Sequence, residues 1–238
     1  MHLQPIKEGD EMESVVVSIG GSILIQDEDD ITFIRKLAKV LIGKSTNLRL
    51  YVVTGGGRVA REYIKIGRDL GASEVYLDDM GIQVTRLNAR LLIAALGEHC
   101  CQQPALTIDD ALRAARTNHI IVMGGLHPGF TTDAVSAMVG ERVGAARLVN
   151  ATSVPGVFTA DPRKDSSAKL IRKMSFDELV AIVDRSDRGA GPNIVFDPLA
   201  ARIVRRARIV TMICDGRNLP TLMSAIEGDE FNGTVISD

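Results

Sequence analysis

A chain of 238 residues, 45% hydrophobic and 24% charged, can bury the core of one large α/β domain, and its composition excludes disordered and fibrous classes. Its formal net charge of -2 offers no electrostatic footprint for nucleic acid or an anionic membrane, so any phosphate binding has to be local. With no tryptophan and 4% aromatic residues, a base-stacking platform is also excluded.

Apolar runs such as Leu91 to Leu96 are far short of the roughly 18 residues of a membrane span. The amino terminus carries Glu8, Asp10 and Glu11 instead of a basic then apolar leader, so a cytoplasmic protein is expected. Cys100, Cys101 and Cys214 have no second Cys/His pair at zinc spacing and read as reduced, structural thiols. No internal repeat, low-complexity tract or linker interrupts the chain.

Residues 1–14 lack periodicity and mix Pro5, Gly9 and charges, which predicts a loose extension ahead of a single domain over 15–238. Val15 to Ile19 is β-branched and predicts a strand, closed by Gly20, Gly21 and Ser22 in a loop whose N–H groups can hold an anion. After Asp29 and Asp30, the spacing of Ile31, Ile34, Leu37, Ala38, Leu41 and Ile42 predicts a helix. Leu50 to Val53 predicts a second strand, with Gly55, Gly56 and Gly57 at its exit and a helix marked by Val59, Ala60, Tyr63, Ile64 and Leu70.

Gly55, Gly57 and Ala60 satisfy the dinucleotide pattern G-x-G-x-x-A, which keeps a dehydrogenase reading open. The loop nevertheless follows the second strand, and other glycine loops repeat the same logic. Arg58 and Arg61 open the following helix, where backbone N–H groups already favour phosphate. Asp78 and Asp79 then read as caps of a helix over Ile82 to Leu96, with Leu87, Leu91, Ala94 and Ala95 turned inward. Thr107 and Asp110 form a capping-type pair before a shorter helix.

The central feature is Met123 to Asp133, Met-Gly-Gly-Leu-His-Pro-Gly-Phe-Thr-Thr-Asp. It leaves the apolar strand Ile120 to Met123 and enters a helical segment at Ala134. Gly124, Gly125 and Gly129 permit close backbone approach, and Thr131, Thr132 and Asp133 gather hydroxyls and a carboxylate at a helix start. Ligands of open α/β sheets sit at such strand-to-helix crossings. A plain glycine turn with Asp133 as cap is the alternative.

Arg147 to Asn150 predicts a further strand with a polar exit at Ala151 and Thr152, and a turn runs from Val154 to Phe158. Asp161, Arg163, Lys164 and Asp165 put two cations beside two carboxylates, for which a surface cluster is the simplest reading. Ser175 and Glu178 form a capping box for a helix ending near Val183, and the glycine-containing stretch 184–196 is a candidate flap. Asp197 as N-cap and Pro198 at the first helical position begin a helix through Ala207. Strands at Ile209 to Ile213 and Thr234 to Ile236 flank a short helix around Leu222 to Ile226.

Taken together and in this order, the glycine loops, Thr131-Thr132-Asp133 and Thr159 to Asp165 resemble the amino-acid kinase superfamily and, within it, the archaeal-type uridylate kinases. The similarity runs from Val15 to Ile236 and includes Gly81 to Arg86 and Asp197 to Ala201. It implies an open three-layer α/β/α sandwich with a mostly parallel central sheet, whose acceptor side is about 15–145 and whose ATP side is about 146–238. It further implies a homohexamer that transfers the γ-phosphoryl of ATP to UMP with Mg²⁺, the metal arriving with ATP and no protein side chain binding it. A sister kinase with another acceptor, or a non-catalytic nucleotide-binding member, shares much of this pattern.

Carried over by residue, the resemblance implies that Gly21, Ser22 and Gly57 line the ATP phosphates, with Thr152, Phe158 and Asp161 around the adenosine. It assigns UMP to Gly56, Asp78, Leu126, His127, Pro128, Gly129, Phe130, Thr131 and Thr132. Arg61, Asp133 and Lys164 are the implied catalytic residues, Arg61 and Lys164 at the phosphates and Asp133 orienting the cationic groups. Many superfamily members have lysine two residues before the first glycine pair. Here that position is Ser18.

Overall fold

The structure, a computed structural model, describes residues 12–26, 29–160, 165–186 and 196–238. Among the described residues seven strands form one sheet: β1 (Glu13–Ile19), β2 (Leu48–Thr54), β3 (Ile120–Met123), β4 (Arg147–Thr152), β5 (Lys173–Met174), β6 (Val210–Asp215) and β7 (Gly233–Ile236). Their order is β3-β2-β1-β4-β6-β7-β5, and every pairing is parallel except the antiparallel β6–β7. The helices are α1 (Gly21–Leu24), α2 (Asp30–Lys44), α3 (Gly57–Asp69), α4 (Glu74–Leu96), α5 (Ile108–Ala114), α6 (Thr132–Val143), α7 (Phe176–Ser186), α8 (Pro198–Ala207) and α9 (Leu219–Glu227).

The alternation of strand side chains builds two cores. Val16, Val53, Ile121 and Leu148 pack with α5, α6, α7 and α8 on one face. Val15, Val17, Val52 and Val149 pack with α1, α2, α4 and α9 on the other. A strand covered on both sides has no wet face, which is why β1, β2 and β3 read as continuous apolar runs. This is the three-layer sandwich expected. Among the described residues no helix is long and apolar enough to cross a membrane.

Several caps agree with the sequence reading. Thr107 accepts from the Asp110 N–H, Asp197 from the Ala200 N–H at 2.9 Å, and Ser175 with Glu178 closes a reciprocal capping box at α7. Other expectations are corrected. β1 begins at Glu13, so the last two residues of the supposed extension are strand; residues 1–11 lie outside the described residues, as does 187–195 of the supposed flap. Asp78 and Asp79 stand inside α4, which starts at Glu74 with Ser73 as its N-cap. The two-residue strand β5 had no sequence signal.

The inward face of α4 is also different: it buries Ile82, Thr85, Asn88, Ala89 and Leu92, and leaves Leu87 and Leu91 exposed. Thr85 and Asn88 face in because their side chains hydrogen-bond the backbone of Gly125 and Gly55, and the leucines are rotated outward in consequence. Ile31 of α2 and Tyr63 and Leu70 near α3 are likewise exposed, with Phe33 taking the buried place expected of Ile31. Cys100 and Cys214 are buried free thiols, and burial pushes them up to about 11 and about 12, so both stay protonated.

Candidate active site

Two glycine loops meet where β1 and β2 end. The Gly55 N–H donates to the Ile19 carbonyl, and the backbones pack so closely that a Cβ on Gly57 would lie 2.4 Å from the carbonyl carbon of Gly21. Gly57 also has φ of +64°, a conformation other residues adopt only with strain. The first turn of α3 has no side-chain cap, which leaves its N–H groups facing the loop as an anion cradle.

The third loop is held from below by α4. The Thr85 hydroxyl donates to the Ile82 carbonyl at 2.6 Å and accepts from the Gly125 N–H at 2.7 Å. A Cβ on Gly124 would come within 2.5 Å of that hydroxyl, so glycine is required for this approach. Arg86 donates to the Gly125 and Leu126 carbonyls, each at 3.2 Å, and Asn88 donates to the Gly55 carbonyl at 2.7 Å. One helix therefore positions two loops.

Thr131, not Asp133, caps α6: its hydroxyl accepts from the Ala134 N–H at 3.1 Å and donates to Asp197 at 2.9 Å. Asp133 stands in the first turn, where its carboxylate accepts from the Ser18 hydroxyl at 3.3 Å. Burial, with Asp197 nearby as a second negative charge, pushes Asp133 up to about 7; the Ser18 hydroxyl and the Asp197 backbone N–H pull it back only in part. The position where many superfamily members carry lysine thus holds a neutral donor to a carboxyl that is easily protonated.

These loops enclose two adjoining cavities past the carboxyl ends of the strands. The first, about 420 Å³, is lined by Gly21, Ser22, Gly57, Arg61, Asp133 and Thr152, among others. The second, about 310 Å³, is lined by Gly56, Asp78, His127 and Phe130, among others. Gly56, Gly57, Arg61, Thr131 and Thr132 belong to both. The site lies at the strand-order reversal between β1 and β4, the position open α/β sheets use for ligands.

Of the residues named from sequence, the cavities bring together Gly21, Ser22, Gly56, Gly57, Arg61, Asp78, His127, Phe130, Thr131, Thr132, Asp133 and Thr152. Leu126 is instead buried in the core, and only its carbonyl faces Arg86. Pro128 and Gly129 stand at the exposed loop tip, where the Gly129 N–H donates to Asp78 at 2.8 Å. Phe158 bridges to Leu170 and lines neither cavity. Asp161 and Lys164 lie outside the described residues.

Sequence reasoning did not assign to the site Ser18, Asn150, Phe196 or Asp197, nor the supports Thr85 and Arg86. For Asn150 in β4 and Thr85 in α4 the signal is a polar side chain inside an apolar run. Asp197 carries a capping signal and lies in the run Asp197 to Ala201 that shares the resemblance, neither of which places it in the cleft. Among the described residues no cluster of three or more His, Cys, Asp or Glu forms a metal site.

Residues 13–215, from the start of β1 to the end of β6, match the model of the amino acid kinase family. The uridylate kinase of Methanospirillum hungatei is 43% identical over 226 residues, covering 95% of each chain. That of Pyrococcus abyssi is 45% identical over 93% of this chain and 98% of the relative. The crystal structure of uridylate kinase from Archaeoglobus fulgidus superposes with a TM-score of 0.85 at 40% identity, over 94% of this chain and 99% of that one. The chain belongs to the amino acid kinase family and groups within it with the archaeal uridylate kinases.

Proposed function

We propose that the protein is an ATP-dependent uridylate kinase that transfers the γ-phosphoryl of ATP to UMP, giving UDP and ADP. The observation that carries this reading is the pair of cavities sharing Gly56, Gly57, Arg61, Thr131 and Thr132, a geometry suited to two phosphorylated ligands lying end to end. The similarity to uridylate kinases over most of the chain selects the acceptor.

The acceptor phosphate is already ionised near neutral pH, so the reaction needs no nucleophile from the protein; it needs two anions held in line while their charge is neutralised. Gly21, Ser22 and Gly57 would hold the ATP phosphates through N–H groups, with Thr152 toward the adenosine. Thr131 and Thr132 would grip the acceptor phosphate with neutral donors that leave its attacking charge intact. Asp78, with His127 and Phe130, would hold the nucleoside of UMP. Arg61, common to both cavities, would bridge the reacting phosphates, and Lys164 would add a second cation.

Mg²⁺ would enter with ATP and offset charge on the transferring group. The phosphates would supply its ligands in place of protein side chains, while Asp133 and Asp197, in the wall of the cleft, would orient the cationic groups around them. The exposed apolar side chains Tyr63, Ile66, Val75, Tyr76, Leu87 and Leu91 along α3 and α4 support assembly into a homohexamer. A cytoplasmic location accords with its substrates.

A coupled assay with ATP, Mg²⁺ and, in turn, UMP, CMP, AMP, dTMP and acetylglutamate tests the proposal. UMP is expected to be the best acceptor, with UDP as product. A faster reaction with any other acceptor reassigns the enzyme to a sister activity, and ATP binding without turnover on all five refutes a kinase role.

A further inference from the structure

Thr85 has a counterpart on the other side of the cleft. Thr234 in β7 is fully buried, and its hydroxyl accepts from the Val157 N–H at 2.9 Å and donates to the Ile171 carbonyl at 2.6 Å. A Cβ on Gly156 would lie 2.5 Å from that hydroxyl, the same approach that the Thr85 hydroxyl makes to Gly124 while it accepts from the Gly125 N–H. Each clasp therefore joins one threonine hydroxyl to a glycine and to the N–H of the residue after it.

The antiparallel direction of β7 puts the second clasp near the rim of the cleft. Gly233 and Thr234 pair with Cys214 and Ile213 toward the carboxyl end of β6, so β7 begins where the parallel strands finish. Beside β6, strand β4 ends at Thr152 in the wall of the first cavity, and the Thr152 carbonyl accepts from the Gly216 N–H at 2.8 Å. The chain then crosses from Ser153 to Gly156 and reaches the clasp at Val157, whose carbonyl accepts from the Ile171 N–H at 2.8 Å. This loop is thus fixed at Thr152 by β6 and at Val157 by β7.

Both hydroxyl bonds are buried, so a side chain without the hydroxyl leaves one donor and one acceptor unpaired, at a cost larger than the bonds themselves are worth. The loop is the part that can move to relieve it. Ser153 is exposed and Val154 and Pro155 are half-buried, whereas Thr234 is held between β6 and β5 in the sheet. Thr234 itself lines neither cavity, so its reach into the cleft runs through the loop.

We propose that Thr234 is a positioning residue for the donor nucleotide, acting through the loop from Thr152 to Val157 as Thr85 acts on the acceptor through Gly125. The step rests on the kinase reading above, which puts ATP in the first cavity. Strand β7 then sets the donor side and helix α4 the acceptor side, and loss of one hydroxyl shifts the binding of one substrate.

The test compares Thr234→Val, Thr234→Ser and Thr85→Val in the full chain, by KM for ATP and for UMP and by calorimetric titration of ATP without UMP. Thr234→Val keeps the shape and loses the hydroxyl; it is expected to raise KM and the dissociation constant for ATP at least about fivefold, with KM for UMP within about twofold of wild type. Thr85→Val is expected to show the opposite split. Thr234→Ser keeps both hydrogen bonds and is expected to return ATP binding to within about twofold of wild type. Gly156→Ala retains the hydroxyl but displaces the loop, and the same one-sided rise is expected of it, so it carries the test if the valine variant does not fold.

An equal rise in both KM values, a lower melting temperature with ATP binding unchanged, or a serine variant as weak as the valine variant overturns the proposal. Wild-type protein that binds ATP and transfers nothing to UMP refutes the kinase reading instead. The titration then still decides the clasp, because it requires no turnover.

Discussion

Replacing Asp133 by asparagine separates what this residue does for the reaction from what it costs the fold. Its carboxyl is raised from an ordinary 3.8 to about 7, chiefly by burial and then by Asp197. At about 1.4 kcal/mol per pH unit, a difference of roughly three units corresponds to at most about 4 kcal/mol, reduced by the water that reaches the partly accessible side chain. The sign follows from the direction: with the folded value above the unfolded one, the stability it contributes is fully present below pH 3.8. That contribution is lost as pH rises toward about 7. Asparagine keeps the shape and carries no charge, so Asp133→Asn is expected to match the wild type near pH 4 and to exceed its stability by about 2–4 kcal/mol at pH 8. Turnover at pH 8 is expected to collapse, because the cleft loses the charge that orients its cations. Urea unfolding of both proteins from pH 4.5 to 8.5, with turnover measured in parallel, checks this. A stability difference that does not change with pH, or a variant that remains active, refutes the reasoning.

Arg61 is exposed and contributes nothing to either core, so Arg61→Ala is expected to stay within about 0.5 kcal/mol of wild-type stability while kcat falls by about 10² or more. Thermal melts beside steady-state kinetics decide it. Gly57→Ala puts a Cβ against the Gly21 backbone at positive φ, and a loss above about 2 kcal/mol is expected in urea unfolding. Thr85→Val leaves the buried Gly125 N–H without its acceptor at a cost of about 1–3 kcal/mol, and loosening of the acceptor loop is expected to raise KM for UMP more than KM for ATP. Leu87→Asp places a charge on the apolar face of α4; light scattering is expected to report a smaller assembly with an intact fold.

Local chemistry wrote much of this protein plainly. Continuous β-branched runs bounded by glycines announced a parallel sheet covered on both sides, and short-range caps at Thr107, Ser175 and Asp197 set helix starts, because each depends on residues three positions apart. The glycine corners and Thr131-Thr132-Asp133 were legible as a phosphate-handling set for the same reason: the backbone conformations they permit are local. Other features were decided by packing between distant segments. Thr85, Asn88 and Arg86 face the loops because those loops leave backbone groups that need partners, and this demand turns Leu87 and Leu91 outward against the helix's own apolar pattern. Asp197, read as a cap, becomes a wall of the cleft only when α8 is brought against α6, and Ser18 meets Asp133 across 115 positions of sequence. Side-chain spacing determines which element forms, whereas the partner of each polar group and the ionisation of a buried carboxyl depend on what long-range packing sets beside it.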